Sequence, residues 1–177
     1  MVRVAVCTGL RASELFALRW EDFDRKRLTV LVRRAIVDGV VGEVKTKYSH
    51  SGLPLDPTLA EVLFRWQRES QFAKPGDWVF ASPQMAGELP LRSTAVLEDH
   101  IKPAVGRANL GTGIGWHTFR HTYSSMLRQL GTDLKVQQEL LRHADIRTTM
   151  NVYTQAVSDD KRSAHAKVVR MVLARGA

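Results

Sequence analysis

Five side chains of this sequence, two arginines, two histidines and a tyrosine, lie where helix ends or turns are predicted: Arg11, His117, Arg120, His143 and Tyr153. The planar guanidinium of an arginine can grip two phosphate oxygens at once. A tyrosine phenol becomes a useful nucleophile only when nearby cations stabilise its anion. Together these residue types are the parts needed to attack a phosphodiester without a metal.

Arg11 follows the turn Thr8-Gly9-Leu10 and precedes Glu14 by three residues. Residues three apart share a helix face, so Glu14 can orient Arg11 through a salt bridge. Each residue also has a simpler explanation, because surface arginines are common and an acidic residue is favourable in the first turn of a helix.

The segment His117-Thr118-Phe119-Arg120 places a histidine and an arginine on one face of a helical turn, with Phe119 directed to the core. His143 lies near a predicted helix end, where a cation is favourable. A zinc site formed by His117, His121 and His143 is an alternative. However, Thr118 stands where the zincin motif requires Glu, which argues against a metalloprotease.

Two lysines lie in the run Val44-Lys45-Thr46-Lys47, and Lys45 is predicted to lie at the tip of a hairpin. A lysine at a hairpin tip can place its ammonium group beside a leaving oxygen, although most such lysines are simply solvated. Lys47 lies two residues after Lys45 and is close enough in sequence to take the same place.

The predicted elements give an α+β fold that is mainly α-helical with a small three-stranded antiparallel sheet. Residues 28–36 are rich in β-branched side chains and predict a strand, Asp38-Gly39 predicts a hairpin turn, and returning strands are expected at 40–46 and 52–55. Helices are predicted to end at Gly9 and Gly131 and to begin at Arg11, after Thr58, at His117 and after Asp133. Further helices are predicted from Ser93, over 149–153, and over 158–173.

The formal charge of +8 and a sequence pI of about 10.1 favour a polyanionic partner. Cys7 is the only cysteine, which excludes an intrachain disulfide framework, and its apolar neighbours predict that it is buried. No apolar run is long enough to cross a bilayer, and no signal-peptide pattern opens the chain. We therefore expect a cytoplasmic, nucleoid-associated protein with no membrane partner and no small-molecule substrate.

In its order of motifs, the chain from Thr8 onwards resembles the catalytic domain of the tyrosine recombinases, or phage integrases. The matching segments are the Thr-Gly-Leu-Arg-x-Ser-Glu box, the Lys-Thr hairpin ending in Leu-Pro-Leu, His-x-x-Arg-His-Thr, and the tail from His143 to Tyr153. The chain departs from the family pattern at Arg142, where glycine is frequent, and at Gln155, where histidine is frequent.

The resemblance implies that Arg11 and Arg120 clamp the scissile phosphate while Tyr153 attacks it, giving a 3′-phosphotyrosyl intermediate and a free 5′-hydroxyl. It further implies that Lys45 protonates the leaving oxygen, that His117 manages protons, that His143 hydrogen-bonds the phosphate and that Glu14 supports the site. Neither ATP nor a metal or other cofactor is then required. Lys47, Arg142 and Arg147 are expected to contact double-stranded DNA.

The family resemblance also carries expectations about organisation. Residues 1–177 would be one catalytic domain, and the family's N-terminal core-binding domain would be missing, since residues 1–7 resemble the second half of a helix. Residues 158–177 would dock on a neighbouring protomer or pack on their own domain, and the family assembles as a tetramer on DNA. Two other functions stay open: a non-catalytic DNA-binding remnant of a mobile element, and relaxation of DNA as by a type IB topoisomerase.

Overall fold

The computed structural model describes residues 1–44, 52–143, 145, 147, 149 and 150. The helices among these are α1 (Val2–Thr8), α2 (Ala12–Leu15), α3 (Pro57–Glu69), α4 (Ser93–Val96), α5 (Lys102–Arg107), α6 (Trp116–Gln129) and α7 (Leu134–Leu141). The strands are β1 (Phe23–Asp24), β2 (Thr29–Val30), β3 (Arg34–Val37), β4 (Val40–Glu43) and β5 (Leu53–Pro54). The mainly helical α+β architecture is as predicted.

The chain reverses between α1 and α2 at Gly9. Gly9 adopts a left-handed conformation with φ 61°, and its N–H donates to the carbonyl of Ala5, which confirms it as the residue that ends α1. The second helix is shorter than predicted, because it ends at Leu15. Leu15 and Leu18 are nevertheless both buried, so the predicted apolar face is real.

The strands form two separate antiparallel sheets. One is three-stranded, in the order β1-β2-β5, and the other is the hairpin β3-β4. The predicted strand 28–36 is therefore wrong as a single element, since its two ends belong to different sheets. After the break β3 packs against α2, and the Arg34 guanidinium at its start donates to the buried carboxylate of Asp22 at 2.9 Å.

The hairpin turn is confirmed at Asp38-Gly39. Val37 pairs with Val40, and the two turn residues have φ values of 51° and 79°. Positive φ at both central positions is the type I′ geometry that matches the twist of paired strands. Val44, the last described residue before Lys45, donates its N–H to the carbonyl of Arg33.

A single apolar cluster joins the helices to the three-stranded sheet. Phe16 lies within it, with Phe80 on one side and the Trp116 ring meeting it edge-on at 5.0 Å. The indole N–H of Trp116 donates to the carbonyl of Ser93 at 2.8 Å. These contacts fix the first turn of α6, which carries His117, against the core.

A proline is expected to end or kink a helix, and the helix that begins at Ser93 is distorted just before Pro103 and continues beyond it. A π-helical segment, Leu97–Ile101, lies between α4 and α5, immediately before the proline. Proline lacks an N–H and its ring clashes with the carbonyl four residues earlier. The wider π-turn relieves that clash without ending the helix.

Several predicted helix ends are confirmed. Asp133 caps α7 by accepting from the N–H groups of Lys135 and Val136, and Gly131 follows α6 with φ 69°. The predicted helix over 149–153 and the final helix over 158–173 lie wholly or mostly outside the described residues.

Cys7 is exposed on α1, so the prediction that it is buried is wrong. Within the described part of the chain, no helix has both the length and the apolarity required to cross a bilayer.

Candidate active site

Arg11 occupies the N-cap of α2 and is held there by Glu14. The backbone N–H of Arg11 donates to Glu14 Oε2 at 2.8 Å, and Arg11 Nη1 donates to Oε1 at 3.1 Å. The Arg11 side chain is 40% exposed, whereas that of Glu14 is 5% exposed. A buried carboxylate therefore anchors an arginine whose remaining donors face outward.

Arg120 joins three distant parts of the chain. Its Nη1 donates to the carbonyl of Gly9 and its Nη2 donates to the carbonyl of Leu141. Gly9 lies two residues before Arg11, and Leu141 lies two residues before His143. Helix α6 therefore positions Arg120 between the segment that carries the first arginine and the segment that carries the second histidine.

Arg142 approaches the same carboxylate from the opposite end of the chain. Its Nη2 donates to Glu14 Oε2, across 128 residues of sequence. The Arg142 side chain is 4% exposed, and its backbone is left-handed, with φ 51° and ψ 45°. The sequence analysis expected Arg142 to contact DNA, whereas its guanidinium lies inside the protein beside Glu14.

His143, the residue directly after Arg142, is buried. Its Nδ1 lies 2.8 Å from Thr149 Oγ1, and Thr149 is itself fully buried. A neutral imidazole that accepts from the Thr149 hydroxyl at Nδ1 carries its proton on Nε2. In that tautomer Nε2–H can donate to an oxygen anion.

The charges of the cluster act on one another. Burial, followed by the charges of Arg120, Arg11 and Arg142, lowers the pKa of His143 to about 4. Burial and the neighbouring Arg11 lower the pKa of Arg120 to about 10. Burial by itself would raise the pKa of Glu14, but its partners Arg142 and Arg11 bring it below the usual value. At neutral pH Arg120 and Glu14 are therefore charged and His143 is neutral.

The predicted site residues fall into three groups. The structure brings together Arg11, Glu14, Arg120 and His143. His117 is exposed in the first turn of α6, one turn before Arg120, and Arg147 is 84% exposed and pairs with Asp145 at 2.9 Å. Lys45, Lys47 and Tyr153 lie outside the described residues.

The alternative zinc site is not assembled in the described part of the chain. His117 and His121 are exposed on α6, while His143 is buried beyond α7. No group of three or more histidine, cysteine, aspartate or glutamate side chains among the residues described could hold a metal ion.

Two contributors to the cluster were missed by the sequence analysis. Thr149 gave no signal, since a threonine in a polar run has no distinguishing pattern. The inward direction of Arg142 was also missed, although its replacement of a frequent glycine was a usable sign. A non-glycine side chain in a left-handed position needs compensating contacts, and here these contacts are with Glu14.

The chain is similar to proteins of one family. Residues 1–159 match the model of the phage integrase family. Over 162 residues the chain is 32% identical to the ICEBs1 integrase of Bacillus subtilis, covering 85% of this chain and 42% of that protein. It is 31% identical to tyrosine recombinase XerD of Pseudomonas aeruginosa, covering 94% of this chain and 52% of that protein. The chain thus spans about half the length of the relatives it matches.

Solved structures show the same architecture. The integrase of the transposon Tn1549, in complex with transposon right end DNA, superposes with a TM-score of 0.79 at 22% identity, over 95% of this chain and 57% of that chain. The XerA recombinase gives a TM-score of 0.67 at 20% identity, over 93% of this chain and 54% of that chain. With the family model matching most of the sequence, the chain belongs to the phage integrase family, the tyrosine recombinases.

Proposed function

We propose that this chain is the catalytic unit of a site-specific DNA recombinase that cleaves and rejoins strands through a 3′-phosphotyrosyl intermediate. The observation that carries the proposal is the convergence of Arg11, Arg120 and His143, three phosphate-binding side chains from separate segments, around one buried carboxylate. The family membership is consistent with that chemistry.

In the proposed reaction the phenolic oxygen of Tyr153 attacks the scissile phosphorus and forms a phosphotyrosyl ester. The bond from phosphorus to the 5′-oxygen breaks, and Lys45 gives that oxygen a proton, with Lys47 as the alternative donor. His117, exposed one turn before Arg120, takes up and returns protons. The energy of the broken ester is retained in the new ester, so rejoining reverses the same steps.

Arg11, Arg120 and His143 would stabilise the transition state. Negative charge accumulates on the non-bridging oxygens as the fifth bond to phosphorus forms, and donors already directed there favour the transition state over the ground state. Because His143 is neutral at physiological pH, it would act as a hydrogen-bond donor rather than as a cation. Each such donor is worth about 2.7–4 kcal/mol by analogy with oxyanion holes.

Double-stranded DNA is the proposed substrate. The net charge of +8 suits a polyanion. The similar Tn1549 integrase is described in complex with transposon right end DNA and with circular intermediate DNA. We infer in addition that Lys47 and Arg147 contact the duplex, that copies of the chain self-associate on it, and that the protein acts in the cytoplasm at the nucleoid.

The proposal is tested by covalent capture. The chain is incubated with a library of nicked duplexes of random sequence, in which release of a short fragment traps the enzyme on the DNA. SDS-resistant adducts are recovered and sequenced. We expect adducts with the wild type and none with Tyr153→Phe, which lacks the nucleophile but keeps the ring.

The outcomes separate the candidate functions. Adducts enriched in one sequence support a site-specific recombinase. Adducts without sequence preference, together with relaxation of supercoiled plasmid, would indicate a topoisomerase. Non-covalent binding with no adduct in either protein would leave a DNA-binding remnant and refute the catalytic proposal.

A further inference from the structure

We propose that Arg142 is a positioning residue for this site: it neutralises Glu14 from inside the protein and thereby leaves Arg11 free to bind phosphate. The inference rests on the proposed function, because a free Arg11 matters only if the cluster receives a phosphodiester. It concerns a position where the family often has glycine.

The backbone at Arg142 gives the first argument. The residue ends α7 in a left-handed conformation, with φ 51° and ψ 45°, and its N–H donates to the carbonyl of Glu139 at 3.0 Å. Glycine adopts this conformation without strain, whereas a side chain makes it costly. A strained residue persists only where surrounding contacts stabilise it, and the contact here is with Glu14.

Burial gives the second argument. The side chains of Arg142 and Glu14 are 4% and 5% exposed, so their ion pair is shielded from water. Arg142 Nη2 bonds to Glu14, while Arg142 Nη1 is buried and has no hydrogen-bond partner within the described residues. A buried guanidinium paired with a buried carboxylate neutralises that carboxylate within the protein, away from any bound anion.

The sharing of Glu14 gives the third argument. Oε1 accepts from Arg11 Nη1, whereas Oε2 accepts from the Arg11 backbone and from Arg142 Nη2. Without Arg142, a buried carboxylate would be neutralised by the Arg11 side chain alone. With Arg142 present, Arg11 keeps its orientation while much of its charge is left for a phosphate.

The total charge is consistent with this role. Three guanidinium groups, one carboxylate and a neutral His143 leave the cluster with a net charge of +2. A phosphodiester carries one negative charge, and attack by a phenolate raises the charge of the phosphorane to two. With glycine in place of Arg142 the cluster would carry only +1, which matches the ground state better than the transition state.

The test uses the adduct assay with one captured sequence, at single turnover. Arg142→Gly removes the charge and suits the left-handed backbone, so a loss of activity cannot be attributed to a strained helix end. Arg142→Lys keeps the charge. Arg68→Gln, on the exposed last turn of α3, is the matched control for loss of one positive charge from the chain.

We expect the cleavage rate of Arg142→Gly to fall by about 10- to 100-fold at pH 7.5, with cooperative unfolding retained and the affinity for duplex changed much less. Arg142→Lys should recover most of the rate, and Arg68→Gln should match the wild type. The acid limb of the pH–rate profile of Arg142→Gly should also lie at higher pH than in the wild type, because loss of the Arg142 charge raises the pKa values of Glu14 and His143. A purely structural role would not move that acid limb.

The inference is overturned if folded Arg142→Gly cleaves at the wild-type rate with an unchanged pH profile, or if folded Arg142→Lys is as slow as Arg142→Gly. Should Arg142→Gly not fold, Arg142→Gln replaces it as the long uncharged side chain and is judged by the same criteria. If the wild type itself forms no adduct, the proposed function fails instead. In that case an NMR titration of His143 without DNA tests whether the charge of Arg142 lowers the pKa of His143. Equal pKa values of His143 in the wild type and in the uncharged variant would refute that effect.

Discussion

At the scale of single residues, the two arginines of the site are held in different ways. Arg11 is 40% exposed, and its side chain bonds to one carboxylate. Arg120 is partly buried, and its guanidinium bonds to two backbone carbonyls from opposite ends of the chain. In the proposed reaction the first arginine would therefore be mainly a ligand for substrate, whereas the second is also part of the framework.

Replacing each arginine by glutamine should separate these roles. Arg11→Gln should reduce the cleavage rate by about 10²- to 10³-fold, the cost of losing one donor to a developing anion, while the thermal midpoint changes little. Arg120→Gln should reduce the rate at least as much and should also lower the midpoint, because two buried carbonyls lose their donor. Adduct kinetics and thermal unfolding of the same preparations check this, and equal midpoints for the two variants would contradict it.

Residue types at the site were predictable, but their charge states were not. His143 was expected near a helix end, where a cation is favourable, and the helix does end beside it. Burial and the charges of Arg120, Arg11 and Arg142 instead keep His143 neutral. Arg11 lies more than a hundred residues from His143 in sequence, and no local sequence pattern indicates that the two residues will be close in the fold.

At the scale of secondary-structure elements, α1 and α6 meet at Gly9. A Cβ atom added to Gly9 would lie 2.4 Å from Cδ1 of Tyr123 on α6, and the φ of Gly9 is 61°. The close approach places the Gly9 carbonyl within reach of Arg120 on the same helix. The contact between these two helices therefore helps to set the geometry of the site.

Gly9→Ala should lower the free energy of unfolding by about 2–5 kcal/mol, through a left-handed alanine and a clash with the Tyr123 ring. Gly39→Ala is the matched control, because Gly39 also has a positive φ, of 79°, but has open space around its Cα. That control should cost about 1 kcal/mol. Urea unfolding measures both, and equal losses would show that contact with Tyr123 contributes nothing.

Element boundaries were predictable where a capping or turn residue sets them, and they were not predictable where a contact with a distant residue sets them. Gly9, Asp38-Gly39, Gly131 and Asp133 each mark the predicted end, turn or start. The strand predicted over 28–36 is wrong because its first part pairs with β1 and β5, whereas its last part pairs with β4 and packs against α2. A β-rich composition shows that a segment is extended, but not which partner each half takes.

At the scale of the whole molecule, His143 links stability to pH. An unfolded histidine has a pKa of about 6.5, whereas that of His143 in the folded protein is about 4. Between these values the unfolded state binds the extra proton, so stability decreases as the pH falls from 6.5 to 4 and is insensitive to this group above 7. The contribution amounts to about 3 kcal/mol between pH 7 and pH 4.

His143→Gln should therefore remove part of the acid sensitivity. We expect the free energy of unfolding of the wild type to decline more between pH 7 and pH 4 than that of the variant, by about 3 kcal/mol. Urea titrations at pH 7, 5.5 and 4 provide the comparison, and the other titrating groups act on both proteins alike. Parallel pH dependence in the two proteins would show that folding leaves the pKa of His143 unchanged.

The bonds from Arg120 to Gly9 and from Arg142 to Glu14 span 111 and 128 residues of sequence. A ribosome therefore releases Arg11 long before it has made either of the side chains that complete its surroundings. Until residues 120–143 have been made, the growing polypeptide lacks the side chains that surround Arg11 and Glu14. A polypeptide that stops before Arg120 would therefore contain Arg11 and Glu14 without the two arginines that complete their surroundings.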